Sequence, residues 1–218
     1  MSNKKIYNNF QDLLKNNKLW AKKELGTDPL YFKRLVDIQQ PKYLWIGCSD
    51  SRVPPDKITQ TQPGEIFIHR NIANLVVHTD LNLLSVLHYA VNFLKVEHII
   101  VCGHYNCGGV KAALSNKSYG IMDNWLRNIK DVYRFNKKEI EEYTDENRRL
   151  NKLIELNIKE QVNNLSKTSI LQNSWKQNNL EYPFIHGWVY HLEDGLIQPL
   201  ITISPGQKFD DDIYDYKI

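Results

Sequence analysis

Apolar residues recur along this chain with two periods. Through residues 5–25, Ile6, Phe10, Leu13, Leu14, Leu19 and Trp20 approximate one stripe of a helix at about 3.6-residue spacing. Thr27-Asp28-Pro29 offers a cap and a first-turn proline, which predicts a second helix ending before Pro41. Short apolar runs at 42–47, 65–69 and 96–102 predict strands, the second preceded by a turn at Gln62-Pro63-Gly64. Between the last two of these strands, Asp80 can cap a long helix through Leu94. That helix is apolar on most faces and therefore predicted to be buried. Cys107-Gly108-Gly109 opens a further helix through Leu114, and residues 121–178 carry helical patterns with breaks near Tyr143-Thr144 and Ser166-Lys167. Residues 184–190 and 196–203 read as two strands joined by a turn at Glu193-Asp194-Gly195, followed by a polar tail from Pro205.

Alternating strands and helices imply an α/β fold: a mostly parallel central sheet flanked by helices, with an N-terminal helical arm and a C-terminal strand pair. No Pro/Gly/Ser-rich linker interrupts the chain, so one domain spans 1–218, with an arm over 1–26 and a tail over 205–218. In sheets of this kind, sites form beyond the carboxyl ends of the strands.

Composition changes the picture in two ways. The 218 residues are 42% hydrophobic and carry a net charge of +3, enough for a sizeable core and too little for a nucleic-acid footprint. No run approaches ~18 apolar residues, and Met1-Ser2-Asn3-Lys4-Lys5-Ile6 lacks a secretory apolar segment, so the expectation is a cytoplasmic, membrane-free protein. Three cysteines in a reducing compartment argue for metal or catalytic use rather than a disulfide framework.

Two segments at strand ends carry that chemistry. Cys48-Ser49-Asp50-Ser51-Arg52 follows the first run, and His104-Tyr105-Asn106-Cys107-Gly108-Gly109 follows the third. Cys48, His104 and Cys107 offer two thiolates and an imidazole, a donor set suited to Zn²⁺. Asp50 stands within reach of the same ion, and Arg52 can grip that carboxylate through two parallel hydrogen bonds. Asp50 therefore has two competing partners: bound to zinc it closes the site, and held by Arg52 it frees the position for water. Cys102 reads as a buried strand residue with no metal role.

These segments, with His69-Arg70-Asn71-Ile72-Ala73-Asn74, resemble the β-class carbonic anhydrases, and weaker similarity runs from about Leu25 to Ile203. The resemblance implies reversible hydration of CO₂ to bicarbonate and a proton by hydroxide on one zinc per subunit. It maps the ligands onto Cys48, His104 and Cys107, with Asp50 and Arg52 gating the fourth position. It also implies a CO₂ pocket at a dimer interface, contributed by Gln39, Phe67, Tyr89 and the backbone near Gly108. Phe67 and Tyr89 would serve equally well as core packing. Trp45, Arg70 and Tyr190 resemble a subgroup with a second, inhibitory bicarbonate site, although a structural Trp–Tyr pair accounts for the same residues. The N-terminal helix resembles an arm that crosses a partner in a homodimer or dimer of dimers, or it packs on its own domain.

Two rival functions stay open at this point. One is hydrolysis of a CO₂-like molecule such as carbon disulfide or carbonyl sulfide on the same fold. The other is a structural zinc module, against which stands the poor fit of an arginine-contested aspartate to a permanent ligand. A zinc deaminase is disfavoured, because no His-x-Glu segment precedes a Pro-Cys-x-x-Cys.

Overall fold

The computed structural model describes residues 9–37, 39–207 and 212–217. Ile6 and the rest of residues 1–8 lie outside the described residues. The chain divides into two units, Met1–Gln39 and Gln40–Ile218.

The first unit holds α1 (Gln11–Thr27) and the four-residue α2 (Lys33–Val36). The amphipathic helix is therefore present, but the long second helix predicted from Thr27-Asp28-Pro29 is not. Asp28 is extended, and its backbone N–H closes α1 on Glu24. Its carboxylate accepts from the Leu30 N–H at 3.0 Å and pairs with Arg34. This local turn competes with helix formation, as Asp commonly does near helix ends. Trp20, Tyr31 and Phe32 meet edge to face within this unit. Gln39 is its last residue and is exposed.

The second unit is built on five strands: β1 (Tyr43–Cys48), β2 (Ile66–Asn71), β3 (His98–His104), β4 (Phe184–Tyr190) and β5 (Ile197–Ile203). Their spatial order is β2-β1-β3-β4-β5. The first four are parallel, and β5 returns antiparallel to β4. Pro199, which cannot donate to a ladder, sits on the edge strand β5 where the register shifts. Strands β1, β2 and β3 run one to two residues further than the hydrophobic runs suggested. The extension matters, because Cys48 and His104 are strand-final residues rather than loop residues.

Helices α3 (Pro55–Thr59), α4 (Leu81–Asn92), α5 (Gly108–Ala113), α6 (Met122–Phe135), α7 (Lys137–Glu141), α8 (Glu146–Ser166) and α9 (Ser169–Gln177) complete the unit. Asp80 caps α4 as predicted, accepting from the backbone N–H groups of Asn82 and Leu83. The helical stretch breaks where expected around 142–145 and at Lys167, and additionally at Asn136, whose backbone leaves the helical region. The short α3 was not predicted, because five residues carry too little periodicity to mark a helix.

The two faces of the sheet are unequal. One carries the main core, where Leu44, Ile46, Ile99, Val101, Ile185 and Val189 meet Leu87, Ile158 and Val162 from α4 and α8. Gly103 and Gly187 let α8 approach closely: a Cβ at either would collide with Ile158 at 2.7 and 3.0 Å respectively. The other face carries a small cluster of Trp45, Val53, Ile100, Cys102 and Tyr190. Residues 212–217 tie back to α9, with Gln172 bonded to the backbone of Tyr214 and Tyr216. No helix among the described residues is long and apolar enough to cross a membrane.

Candidate metal centre

Parallel register brings the carboxyl ends of β1 and β3 side by side, with Gly47 opposite Cys102. Cys48 closes β1 and His104 closes β3. A left-handed Asn106 (φ 59°) then turns the chain so that Cys107 lies at the start of α5. The fold thus unites residues far apart in sequence. The ligand atoms of Cys48, His104 and Cys107 all lie within 4.8 Å of one another, and all three residues are buried.

The donor set fits zinc on two observations. The sulfurs of Cys48 and Cys107 are 4.0 Å apart, and two sulfurs on a tetrahedral zinc, each about 2.3 Å from it, stand about 3.8 Å apart. Nε2 of His104 is fully buried with no partner of hydrogen-bond geometry among the described residues. Such an orphan is costly unless something else fills its coordination. Nδ1 of the same ring lies 2.9 Å from the Tyr105 carbonyl. Donating there places the proton on Nδ1 and leaves the Nε2 lone pair free. Tyr105 is itself anchored, its hydroxyl donating to Glu155 at 2.6 Å and its N–H to the Tyr190 carbonyl at 3.0 Å.

Electrostatics agree with the geometry. The Cys48 thiol is pushed well below its usual value, first by a hydrogen bond from Cys107, then by His104 and the backbone amides of Asp50 and Ala73. Cys107 moves the opposite way, because it keeps the proton that the pair shares and is buried. Burial pushes His104 down, but Cys48, the Tyr105 carbonyl and Asp50 outweigh it and leave the imidazole raised. Two sulfurs that share one proton when metal-free are the pair that a divalent cation deprotonates on binding.

Asp50 stands beside this group, with Oδ2 3.7 Å from Nε2 of His104. Its carboxylate is held by Arg52, from Nε at 3.0 Å, Nη2 at 2.7 Å and the backbone N–H at 2.9 Å. This grip drives the Asp50 carboxyl far below the carboxylate range, so it is ionised throughout the working pH range. Arg70 braces the same segment, donating from Nε to the Cys48 carbonyl at 2.8 Å and from Nη2 to the Asp50 carbonyl at 2.5 Å.

The remaining predicted residues are distributed as follows. Phe67 and Tyr89 meet with ring centroids 5.8 Å apart, and Tyr89 stacks on the exposed Phe93. A Cβ on Gly108 would meet nothing within 4 Å, so the backbone at the start of α5 faces open space. Trp45 and Tyr190 share the minor cluster, and register places Arg70 beside Gly47 on that face. Gly47 makes room for the indole, since a Cβ there would lie 2.5 Å from Trp45 Nε1. Cys102 is in the same cluster, away from the other thiols, and burial pushes its thiol far up.

Segment 69–74 stood out in the sequence only as a family motif; what its turn supports escaped that reading. The turn Ile72–Asn74 lies beside Gly109, two residues after Cys107; Asn157 of α8 donates to its Ala73 carbonyl, and Gln161 accepts from Val76 just beyond it. The available signal was two amides at i and i+4 on an otherwise apolar helix face.

A buried thiolate–imidazole set at the carboxyl edge of a parallel sheet marks a metalloenzyme of the zinc type. Comparison with known proteins narrows this. A family profile described as carbonic anhydrase matches residues 43–197. A carbonic anhydrase of Emericella nidulans is 48% identical over 89% of this chain and 84% of its own length. One from Candida albicans is 37% identical over 92% of this chain and 70% of its own. Among solved structures, a tetrameric β-carbonic anhydrase from Sordaria macrospora superposes with a TM-score of 0.85 at 36% identity, covering 89% of this chain and 98% of that one. The Coccomyxa β-carbonic anhydrase, solved with acetazolamide, gives 0.84 at 36% identity over 90% and 89%. The chain belongs to the β-class carbonic anhydrase family, zinc enzymes that interconvert carbon dioxide and bicarbonate.

Proposed function

We propose that Cys48, His104 and Cys107 hold one Zn²⁺, and that Asp50, released or retained by Arg52, controls the fourth position during CO₂ hydration. The observation that carries this reading is the orphaned Nε2 of His104, facing two sulfurs and a carboxylate that already has another partner. Bound there, the ion would supply Lewis acidity and lower the pKa of a water from ~15.7 toward ~7–9, less far than with three neutral ligands because two thiolates offset its charge. The ionised Asp50 can only accept hydrogen bonds. Held by Arg52, it accepts from the reacting water and aims a lone pair at the CO₂ carbon. Gly108 leaves open backbone beside the site, and Phe67 and Tyr89 offer an apolar wall for a small non-polar substrate. Zinc content and stopped-flow CO₂ hydration of the wild type and Asp50→Asn test this reading. The variant is expected to keep its zinc and lose about 10–100-fold in rate. A wild type without zinc, or an Asp50→Asn enzyme of unchanged rate, overturns it. Sulfide release from carbon disulfide, measured beside hydration, separates the rival substrate.

Inhibition by bicarbonate at Trp45, Arg70 and Tyr190 is supported by the shared face of these residues and by the bonds of Arg70. An anion that draws Arg70 away frees the carbonyls of Cys48 and Asp50, loosening the segment that Arg52 steadies. That is the differential contact a switch requires. Trp45→Phe with Tyr190→Phe should abolish inhibition by added bicarbonate; unchanged inhibition removes this part. Assembly as a homodimer or a dimer of dimers is supported by the tetrameric relative from Sordaria macrospora and by the exposed Tyr89–Phe93 stack, and sedimentation at micromolar concentration tests it.

A further inference from the structure

The turn Ile72–Asn74 is strained: Ala73 and Asn74 both sit in the left-handed region, at φ 64° and 50°, without being glycine. Such conformations are unfavourable for residues other than glycine and persist where the surroundings impose them. Here the turn is the wall of the metal centre. Ala73 is fully buried, in the same core cluster as Cys48 and Cys107. A Cβ at Gly109, two residues beyond Cys107, would lie 3.3 Å from the Ala73 Cβ and 3.8 Å from its nitrogen.

A chain of amides on α8 holds this turn. The Val76 N–H donates to Gln161 Oε1 at 2.8 Å. A backbone N–H can only donate, so this bond fixes which end of the Gln161 amide is oxygen. Gln161 Nε2 must then face the other way, and it donates to Asn157 Oδ1 at 3.0 Å. That in turn aims Asn157 Nδ2 at the Ala73 carbonyl, 3.2 Å away. Asn164 reinforces the chain, donating to the Val76 carbonyl at 3.2 Å. Trp125 Nε1 donates to the Ile72 carbonyl at 2.8 Å from α6. Asn157 and Gln161 are both almost fully buried, where amides are retained only if satisfied.

We infer that Asn157 is a positioning residue for the metal centre: through the Ala73 carbonyl it locks the strained turn that packs against Gly109, two residues from Cys107, and Gln161 fixes its orientation. The inference rests on the metal reading above. Outer partners of metal ligands commonly contribute 10–100-fold in metal affinity.

The test measures zinc loss to a chelator and the sulfur-to-cobalt absorption of the Co²⁺-substituted protein, with melting and circular dichroism as controls for folding. Asn157→Asp keeps the acceptor for Gln161 and removes the donor to Ala73. Gln161→Met removes the relay one step further from the metal. Wild type that holds no metal sinks the underlying reading, not this one specifically. Given metal in the wild type, Asn157→Asp should lose zinc about tenfold faster or more, with a shifted cobalt–thiolate band, and Gln161→Met should show a smaller change in the same direction. Zinc loss within twofold of wild type and an unshifted cobalt band in folded Asn157→Asp overturn the inference. Should Asn157→Asp fail to fold, the same wild-type behaviour in Gln161→Met overturns it.

Discussion

Cys48 and Cys102 are buried cysteines on neighbouring strands, Cys102 standing opposite Gly47, one residue short of Cys48. Their chemistry differs completely. Cys48 meets Cys107, His104 and two backbone amides, all of which favour a thiolate. Cys102 lies in a cluster with Trp45, Val53, Ile100 and Tyr190; among the described residues its thiol finds only the adjacent Gly103 carbonyl, a neutral acceptor that favours the protonated form. Burial alone keeps a thiol inert; burial with converging donors makes a ligand. Strand alternation sends the two residues to opposite sides of the sheet, so one position along a strand separates a metal ligand from packing.

Substitution of the cysteines should break this comparison most forcefully. Cys48→Ala or Cys107→Ala is expected to abolish zinc retention and lower CO₂ hydration by at least about 10³-fold, the scale of several kcal/mol of Lewis-acid stabilisation. Cys102→Ala should keep full zinc content and hydration, losing about 1 kcal/mol of stability, or roughly 2–4 °C in melting temperature. Zinc analysis beside stopped-flow rates reads all three, and a large activity loss in Cys102→Ala contradicts the division.

Thiol labelling sharpens the same contrast. In folded protein stripped of metal, an alkylating reagent followed by peptide mass mapping should modify Cys48 first, at least about 100-fold faster than Cys102. Cys102 should react only after denaturation. Comparable rates for the two cysteines in the folded state contradict the electrostatic account.

The contrast was legible in the sequence because ligand residues cluster at strand ends. Cys48, Asp50 and Arg52 lie within five positions, and His104 and Cys107 within four, so local chemistry announced itself. The parallel sheet was equally readable, since buried parallel strands are near-continuous apolar runs. What failed was governed by competition between local forces. Asp28 looks like a helix start, yet its side chain closes a turn with Leu30 and Arg34 instead. The amides of Asn157 and Gln161 lie some 80 residues from Ala73 and Val76, which they bond; their i, i+4 spacing hints at a buried polar contact, but nothing local names the partner.

Arg52 tests the next step outward. Arg52→Lys keeps the charge but loses the two-bond grip on Asp50, because an ammonium is a point donor. Hydration should fall about tenfold with zinc content unchanged. An unchanged rate would show that the charge of Arg52, rather than its geometry, serves Asp50.

The smallest expected effect lies outside the metal centre and concerns acid stability. His69 and His186 are both held below the ordinary histidine value, first by burial; for His186 the neighbouring His98 adds to this. His186 sits between two polar partners, with Nε2 3.1 Å from His98 Nδ1 and Nδ1 3.1 Å from Thr202 Oγ1. Because the folded value is depressed, the unfolded chain binds more protons as the pH falls through about 6.5. Stability therefore rises with pH across that interval and is lost below it. The melting temperature should fall by roughly 2–4 °C more in wild type than in His186→Gln on acidification below that point. The metal ligands also titrate in acid, but they do so identically in both proteins, so the difference isolates the imidazole pair. Parallel acid limbs in the two proteins would remove His186 from the account and leave the acid sensitivity to groups common to both, His69 among them.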